Sequence, residues 1–130
     1  MLLFYAAQKS RAVEVLEGIL TERLPAYKIM YCSDIDAVEK RLRRPRQNLE
    51  ILLILVQDAI EMARLTYMRA LLLDMRLILV LPYRDEATVA WAHKLSPRFI
   101  AYADNEMEQL APVLDKMLGN IRHLEAFTEI

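Results

Sequence analysis

The sequence predicts an α/β protein in which five parallel strands alternate with five helices that cover both faces of the sheet. Three observations lead to this fold class. The chain has 130 residues, 55% of them hydrophobic, so one domain can build a core without disulfides or metal ions. Its short apolar runs are continuous, as in strands that are buried on both faces. Segments with helical periodicity separate these runs.

The predicted strands are rich in aliphatic, β-branched and aromatic residues and contain neither glycine nor proline. A helical segment separates each strand from the next, so consecutive strands can pair in parallel but cannot form tight hairpins. In chain order, the strands are Leu2–Ala7, Tyr27–Cys32, Glu50–Val56, Leu77–Leu81 and Phe99–Ala103.

The predicted helices begin after residues whose side chains can accept hydrogen bonds from the backbone N–H groups of the first turn. Pro25 and Pro45 mark the ends of the first two helices, because proline cannot continue a helix. Glutamates three residues after the third and fifth caps match the spacing of a capping box. The candidate caps of the five helices are Ser10, Ser33 or Asp34, Asp58, Asp85 and Asn105.

The fifth helix carries the clearest amphipathic stripe, and this stripe continues beyond the length needed to cover the sheet. We expect residues 1–130 to form a single domain, with residues 122–130 as a helical extension at its C-terminus. The apolar side chains of the extension need a surface that covers them, and a second subunit would supply one. The stripe comprises Met107, Leu110, Leu114, Met117, Leu118 and Ile121, and Leu124 and Phe127 continue it.

The composition excludes several classes of protein. Gly18 and Gly119 are isolated, so no glycine-rich loop can hold a phosphate, which excludes Walker-type NTPases and Rossmann dehydrogenases. The single Cys32, interpreted as a buried structural thiol, excludes internal disulfides and cysteine-rich zinc modules. The net charge of −1 gives no overall attraction to nucleic acid or to anionic membranes. Since neither a signal-peptide pattern nor an apolar run of about 18–20 residues is found, we expect a cytoplasmic protein that does not contact membranes.

Element order and local sequence together resemble the receiver domain of bacterial two-component response regulators. The stretch LILVLPYRDEATVAWAHKLSPRFIAYADNEMEQL, which begins at Leu77, is similar to the second half of a receiver. The alternating pattern extends the resemblance from about Met1 to Ile121. The resemblance implies a flavodoxin-like three-layer sandwich with sheet order 2-1-3-4-5. It also implies that functional groups lie at the carboxyl ends of the strands, near the switch point of the sheet.

In receiver domains, two acidic residues after the first strand and the phosphoacceptor aspartate after the third strand bind Mg²⁺. A Ser or Thr after the fourth strand and a Lys after the fifth strand bind the phosphoryl oxygens. Without these groups, nothing balances the charge of Mg²⁺ or of a transferring phosphoryl group. The resemblance places Ala6, Ala7, Gln8 and Lys9 after the first strand, Leu55 at the phosphoacceptor position, Pro82 after the fourth strand and Ala103 after the fifth.

The resemblance therefore indicates a degenerate pseudo-receiver. We predict a non-enzymatic signalling or regulatory module that needs no cofactor or metal ion and acts by protein–protein interaction. Two alternatives remain open. Asp58 is either the N-cap of the third helix or, in an atypical receiver, the phosphoacceptor. A small-ligand-binding protein would instead need converging polar groups, for which the sequence offers Gln8, Asp58, Tyr83, Asp104 and Asn105.

The predicted interaction surface is the one that receivers use for dimerisation and partner binding, namely the fourth helix, the fifth strand and the fifth helix. Trp91 is its candidate anchor, because tryptophan is frequent at binding hot spots, although packing against the sheet would also explain it. Tyr102, Leu124 and Phe127 complete the surface. These residues suggest a protein partner, or a homodimer through the fourth and fifth helices and the C-terminal tail.

The basic run at residues 40–46 ends the second helix. It is either a site for an anionic partner or a solvated helix end, where cations suit the helix dipole. No aromatic residue within the run can stack on a base, which disfavours nucleic acid. His93 and His123 have no companion ligands at metal-binding spacing.

Overall fold

The five predicted strands form one parallel sheet in the order β2-β1-β3-β4-β5. A computed structural model describes residues 1–45, 48–103 and 107–128 of the chain, with side chains as far as Arg122. The predicted fold class and sheet order are confirmed, and each strand lies within the run that predicts it or begins one residue earlier. The strands are Leu2–Tyr5 (β1), Ile29–Cys32 (β2), Ile51–Leu55 (β3), Arg76–Leu81 (β4) and Phe99–Tyr102 (β5).

The helices match the predicted alternation except between β3 and β4. A single helix was expected there, but the chain leaves helical geometry at Met68, with φ −99° and ψ 23°. The Met68 side chain is 3% exposed, and the break lets a separate helical turn place Leu72 against the same core. The helices are Arg11–Arg23 (α1), Ile35–Arg43 (α2), Ala59–Tyr67 (α3), Arg69–Leu72 (α4), Glu86–His93 (α5) and Leu110–Thr128 (α6).

The structure shows which residue caps each of the first helices, including α2, for which the sequence left two candidates open. Asp34, not Ser33, caps α2, since its Oδ1 accepts a hydrogen bond from the backbone N–H of Asp36 at 3.0 Å. Ser10, Asp58 and Asp85 cap α1, α3 and α5 as predicted. The predicted cap Asn105 lies outside the described residues, and a 3₁₀ turn at Met107–Gln109 precedes α6.

The core has two halves, one on each face of the sheet, because successive strand residues point to opposite faces. Leu3, Leu52 and Leu79 belong to the half that is covered by α2, α3 and α5. Leu53 and Val80 belong to the half that is covered by α1 and α6. Every residue of β3 is at most 9% exposed, which agrees with the continuous apolar run that predicted it.

Arg64 joins α2 to α3 at the surface of the first half. Its Nη2 lies 2.9 Å from Oδ1 of Asp36, and its Nη1 lies 2.7 Å from Oε1 of Glu39. Arg43 also contacts Glu39, at 3.3 Å. The hydrogen bond from Arg64 is the main cause that lowers the pKa of Glu39 below its usual value.

No helix in the described part of the chain is both long and apolar enough to cross a membrane.

The Arg64 ion pairs predict how stability depends on pH. Because the pKa of Glu39 is lowered in the folded protein, its contribution is present above the unfolded-state pKa near 4.5 and is lost as the pH falls through the folded-state value. We expect Arg64→Met to be less stable than the wild type at neutral pH and to lose less stability on acidification. Urea denaturation across this pH range measures both effects, with the exposed Arg69→Met as the matched control. Parallel pH profiles of Arg64→Met and wild type would contradict the assignment.

Candidate functional site

The carboxyl ends of β1 and β3 meet at the switch point of the sheet. The connection that follows β1 leads to α1 on one face, whereas the connection that follows β3 leads to α3 on the other face. Such a divergence opens a crevice at the sheet edge, where α/β proteins of this kind bind their ligands. The residues after β1, β3, β4 and β5 that the receiver resemblance singles out lie at this edge.

A cavity of about 190 Å³ occupies the crevice. The side chains of Gln8 and Gln57 meet beside it, where Nε2 of Gln57 donates a hydrogen bond to Oε1 of Gln8 at 3.2 Å. This amide pair links the loop after β1 to the loop after β3. The cavity is lined by Ala7, Gln8, Lys9, Ser10, Ala12, Leu55, Val56, Gln57, Pro82 and Ala103.

These lining residues do not fit a magnesium ion. None of them carries a carboxylate, and Mg²⁺ is usually held by carboxylates together with phosphate oxygens. Leu55 is 9% exposed and offers only an aliphatic side chain at the position of the phosphoacceptor. Among the described residues, no cluster of His, Cys, Asp or Glu side chains has the composition and proximity of a metal site. Asp104 and Asn105 lie outside the described residues.

Asp58 lies beside this cavity and serves as the cap of α3. Its Oδ1 accepts a hydrogen bond from the backbone N–H of Glu61 at 2.9 Å. The predicted capping box is modified, because Oε1 of Glu61 accepts from the backbone N–H of Gln57, at 2.6 Å, rather than from that of Asp58. Asp58 lines a second, smaller cavity of about 80 Å³ between α3 and α5.

Tyr5 also contributes a polar contact at this edge of the sheet, and the sequence analysis did not identify it. The Tyr5 hydroxyl at the end of β1 donates a hydrogen bond to Oε2 of Glu61. Burial, and then the hydrogen bond to Glu61, raise the pKa of Tyr5 well above its usual value. Glu61 therefore connects the end of β1 to the loop after β3. A tyrosine at the end of an otherwise non-polar buried strand was the signal, since a buried hydroxyl needs a polar partner.

A larger cavity of about 360 Å³ extends from the same loop toward the edge strand β2. The rings of Phe4 and Tyr31 lie 5.9 Å apart on its wall, and Lys9 and Glu17 also line it. Cys32 is half-buried here, so the prediction of a buried thiol holds only in part, because β2 has a neighbour on one side alone. Burial, and then Asp34, raise the pKa of Cys32, which lowers its reactivity as a nucleophile.

Trp91 and Tyr102, two of the predicted interaction residues, both pack against the half of the core that α2, α3 and α5 cover. Trp91 is half-buried against the core and lines the 80 Å³ cavity between α3 and α5, together with Tyr83 and Thr88. Tyr102 lies on the edge strand β5, where the Arg84 guanidinium sits 4.1 Å from the centre of its ring. The helix α6 extends to Thr128, but the side chains of Leu124 and Phe127 lie outside the described residues.

The basic run lies at the opposite edge of the sheet from the crevice. Lys40, Arg41 and Arg43 occupy the last turn of α2, while Arg46 lies outside the described residues. Arg41 and Lys28 line an open cleft of about 700 Å³ at the start of β2. His93 is exposed at the end of α5. The position of the basic run at the end of α2 agrees with a solvated helix end.

The fold and the crevice define a flavodoxin-like α/β domain whose architecture is compatible with that of a receiver. No family model matches the sequence, and no curated protein matches it significantly. Among solved structures, the chain is similar to a protein from Burkholderia pseudomallei K96243 that is described as a candidate pilus assembly-related protein. The TM-score is 0.68 at 18% sequence identity, over 89% of this chain and 87% of the other. At this identity the similarity concerns the fold.

The capping role of Asp58 is tested by two substitutions. Asp58→Ala removes the acceptor for the Glu61 N–H, so we expect it to lower the free energy of unfolding by about 1 kcal/mol. Asp58→Ser keeps an acceptor at this position and should retain most of that stability. Urea denaturation of both variants measures the difference. Equal stability of Asp58→Ala and the wild type would show that the cap is not needed.

Proposed function

We propose that this protein is a non-enzymatic, receiver-like signalling or regulatory module that acts by binding another protein, without phosphoryl transfer. The observation that carries the proposal is the lining of the crevice, where an amide pair and apolar side chains occupy the position of a phosphorylation site. A dianionic phosphoryl group in this cavity would find one cation, Lys9, and no metal-binding carboxylate among the residues that line it. The proposal rests on the chemistry of the residues that line the crevice, since proteins of this fold have many different functions.

The docking face that we propose consists of α5, β5 and α6. β5 is an edge strand of the sheet, and its residues Phe99, Ile100 and Tyr102 are only half-buried. Half-buried aromatic and aliphatic side chains on an edge are typical of surfaces that bind a partner. The proposed partner is a protein of a signalling pathway. The alternative occupant of this face is a second copy of the chain, which would bind through α5, α6 and the C-terminal tail. We place the protein in the cytoplasm, where receiver-like modules would meet such partners.

Pilus assembly is the first setting in which to search for the partner. The similar protein of Burkholderia pseudomallei is described as related to pilus assembly, and most of both chains superimpose. A module that binds a partner through one face and catalyses no reaction would fit a regulatory role in such an assembly.

Two other functions stay as alternatives with specific tests. A phosphorylatable receiver would use Asp58, whose carboxylate is exposed although it also caps α3. A small-ligand-binding protein would use the cavities of about 190 and 360 Å³, which share Ala7, Gln8 and Lys9 on their walls. Of the described polar groups proposed for such a ligand, Gln8 lines these cavities, whereas Asp58 and Tyr83 line the one between α3 and α5.

The absence of phosphoryl chemistry is tested with a phosphoryl mimic and a phosphodonor. We expect no saturable NMR shifts near Asp58 on titration with Mg²⁺ and beryllofluoride, because none of the described residues that line the crevice carries a carboxylate. Incubation with acetyl phosphate should likewise give no adduct in the intact mass spectrum. An adduct that forms on the wild type and is absent from Asp58→Asn would establish the phosphorylatable alternative instead.

The docking face is tested by a charge placed on the outer side of α5. Ala90→Lys introduces a charge at an exposed position and should weaken binding to a partner purified from the native cell by at least about tenfold. Glu14→Lys at an exposed position of α1, which is not part of the proposed docking face, is the matched control and should bind as the wild type does. Isothermal titration with the purified partner measures both. Equal affinities for Ala90→Lys and wild type would exclude this face.

A further inference from the structure

The outward face of α3 carries no charge. Its exposed residues are Ala59, Ile60, Ala63 and Tyr67. Ile60 is 79% exposed and Tyr67 is 85% exposed. They lie seven residues apart, two turns of the helix, so both point away from the core that Met62 and Leu65 fill on the opposite side.

Every other helix of the structure exposes at least one charged side chain. Examples are Glu14 on α1, Lys40 on α2, Arg69 on α4, Glu86 on α5 and Lys116 on α6. A surface helix normally turns its polar residues to water, so α3 departs from the pattern that the rest of this chain follows. A contiguous exposed apolar surface of this kind marks a contact site.

The charged neighbour of the stripe does not cover it. Arg64 directs its guanidinium toward α2, where Asp36 and Glu39 hold it at 2.9 and 2.7 Å. It lies 5.9 Å from the centre of the Tyr67 ring, which stays open to solvent on its other side. Leu73, after α4, is a further large apolar residue that is 49% exposed.

We propose that α3 pairs with α3 of a second copy of this chain, in an antiparallel arrangement about a two-fold axis. The stripe is self-complementary in size, because the small Ala63 lies between the large Ile60 and Tyr67. An antiparallel copy would set Ile60 against Tyr67 of its mate, with the two Ala63 residues at the axis. Small residues at the crossing point allow two helices to approach closely.

The charges at the two ends of the stripe are complementary in the same arrangement. Asp58 and Glu61 lie at the first turn of α3, and the exposed Arg69 follows its last turn. Antiparallel pairing brings the acidic end of one copy to the basic end of the other, and it also opposes the two helix dipoles. Parallel pairing would place like charges together. The pattern therefore favours a second copy over a helix of unrelated sequence.

This contact differs from the proposed docking face, which includes the edge strand β5, although α3 and α5 are neighbours that line the same 80 Å³ cavity. A dimer formed through α3 leaves β5 of both copies available to a partner, together with α6 on the opposite face of the sheet. It would present two docking faces at once, which raises the apparent affinity for a multivalent assembly.

Disulfide trapping tests the geometry. With Cys32→Ser to remove the native thiol, Ala63→Cys should form a covalent dimer when oxidised with diamide, because the two residues would meet at the axis. Ala90→Cys in the same background is the matched control at an exposed position of α5 and should stay largely monomeric. Cross-linking of Ala90→Cys without cross-linking of Ala63→Cys would overturn the proposal and place the dimer at the docking face.

Sedimentation equilibrium gives a second test without an oxidant. We expect the wild type to dimerise with rising concentration and Ile60→Lys to remain a monomer, since a charge at this exposed position disrupts the stripe but not the fold. Ala90→Lys should dimerise as the wild type does. A wild type that is monomeric throughout, or an Ile60→Lys that dimerises normally, would contradict the proposal while leaving the docking face intact.

Discussion

Burial of β3 and β4 on both of their faces is the constraint on which the rest of this structure depends. All five residues of β3, and all residues of β4 except Arg76, are at most 9% exposed. Aliphatic strands of this kind need a helical layer on each side, which α1 and α6 supply on one face and α2, α3 and α5 on the other. Strands that are joined through such helices pair in parallel. The switch point between β1 and β3, and with it the crevice, follows from that arrangement.

The crevice shows how the polar groups of an edge can be engaged in holding the structure. Glu61 accepts hydrogen bonds from Tyr5 and from the Gln57 backbone, and Asp58 accepts one from the Glu61 backbone. These hydrogen bonds connect the ends of β1 and β3 to the first turn of α3. At this edge an amide pair stands in place of an acidic cluster. This arrangement agrees with the proposed function, in which the domain binds a partner and catalyses no reaction.

Local signals predicted the elements well because they depend on neighbours in the sequence. Five strands and the caps of α1, α3 and α5 were predicted from residue type and spacing alone, and the structure confirms them. The cap of α2 was narrowed to Ser33 or Asp34, and the structure selects Asp34. The break at Met68 escaped the prediction because methionine is a good helix former, and only the depth of the core decides where that side chain must go. The Tyr5–Glu61 contact joins residues 56 positions apart, which no local pattern reports.

The sequence by itself determined the α/β class and the alternation of strands and helices, because apolar runs and helix caps are local properties. Tertiary structure decided which residues meet at the crevice. It brought Tyr5 to Glu61 and Gln57 to Gln8, across the ends of β1 and β3. It also turned Ile60, Ala63 and Tyr67 to the solvent. A helix has several apolar positions, and only its packing against the sheet decides which of them the core leaves uncovered.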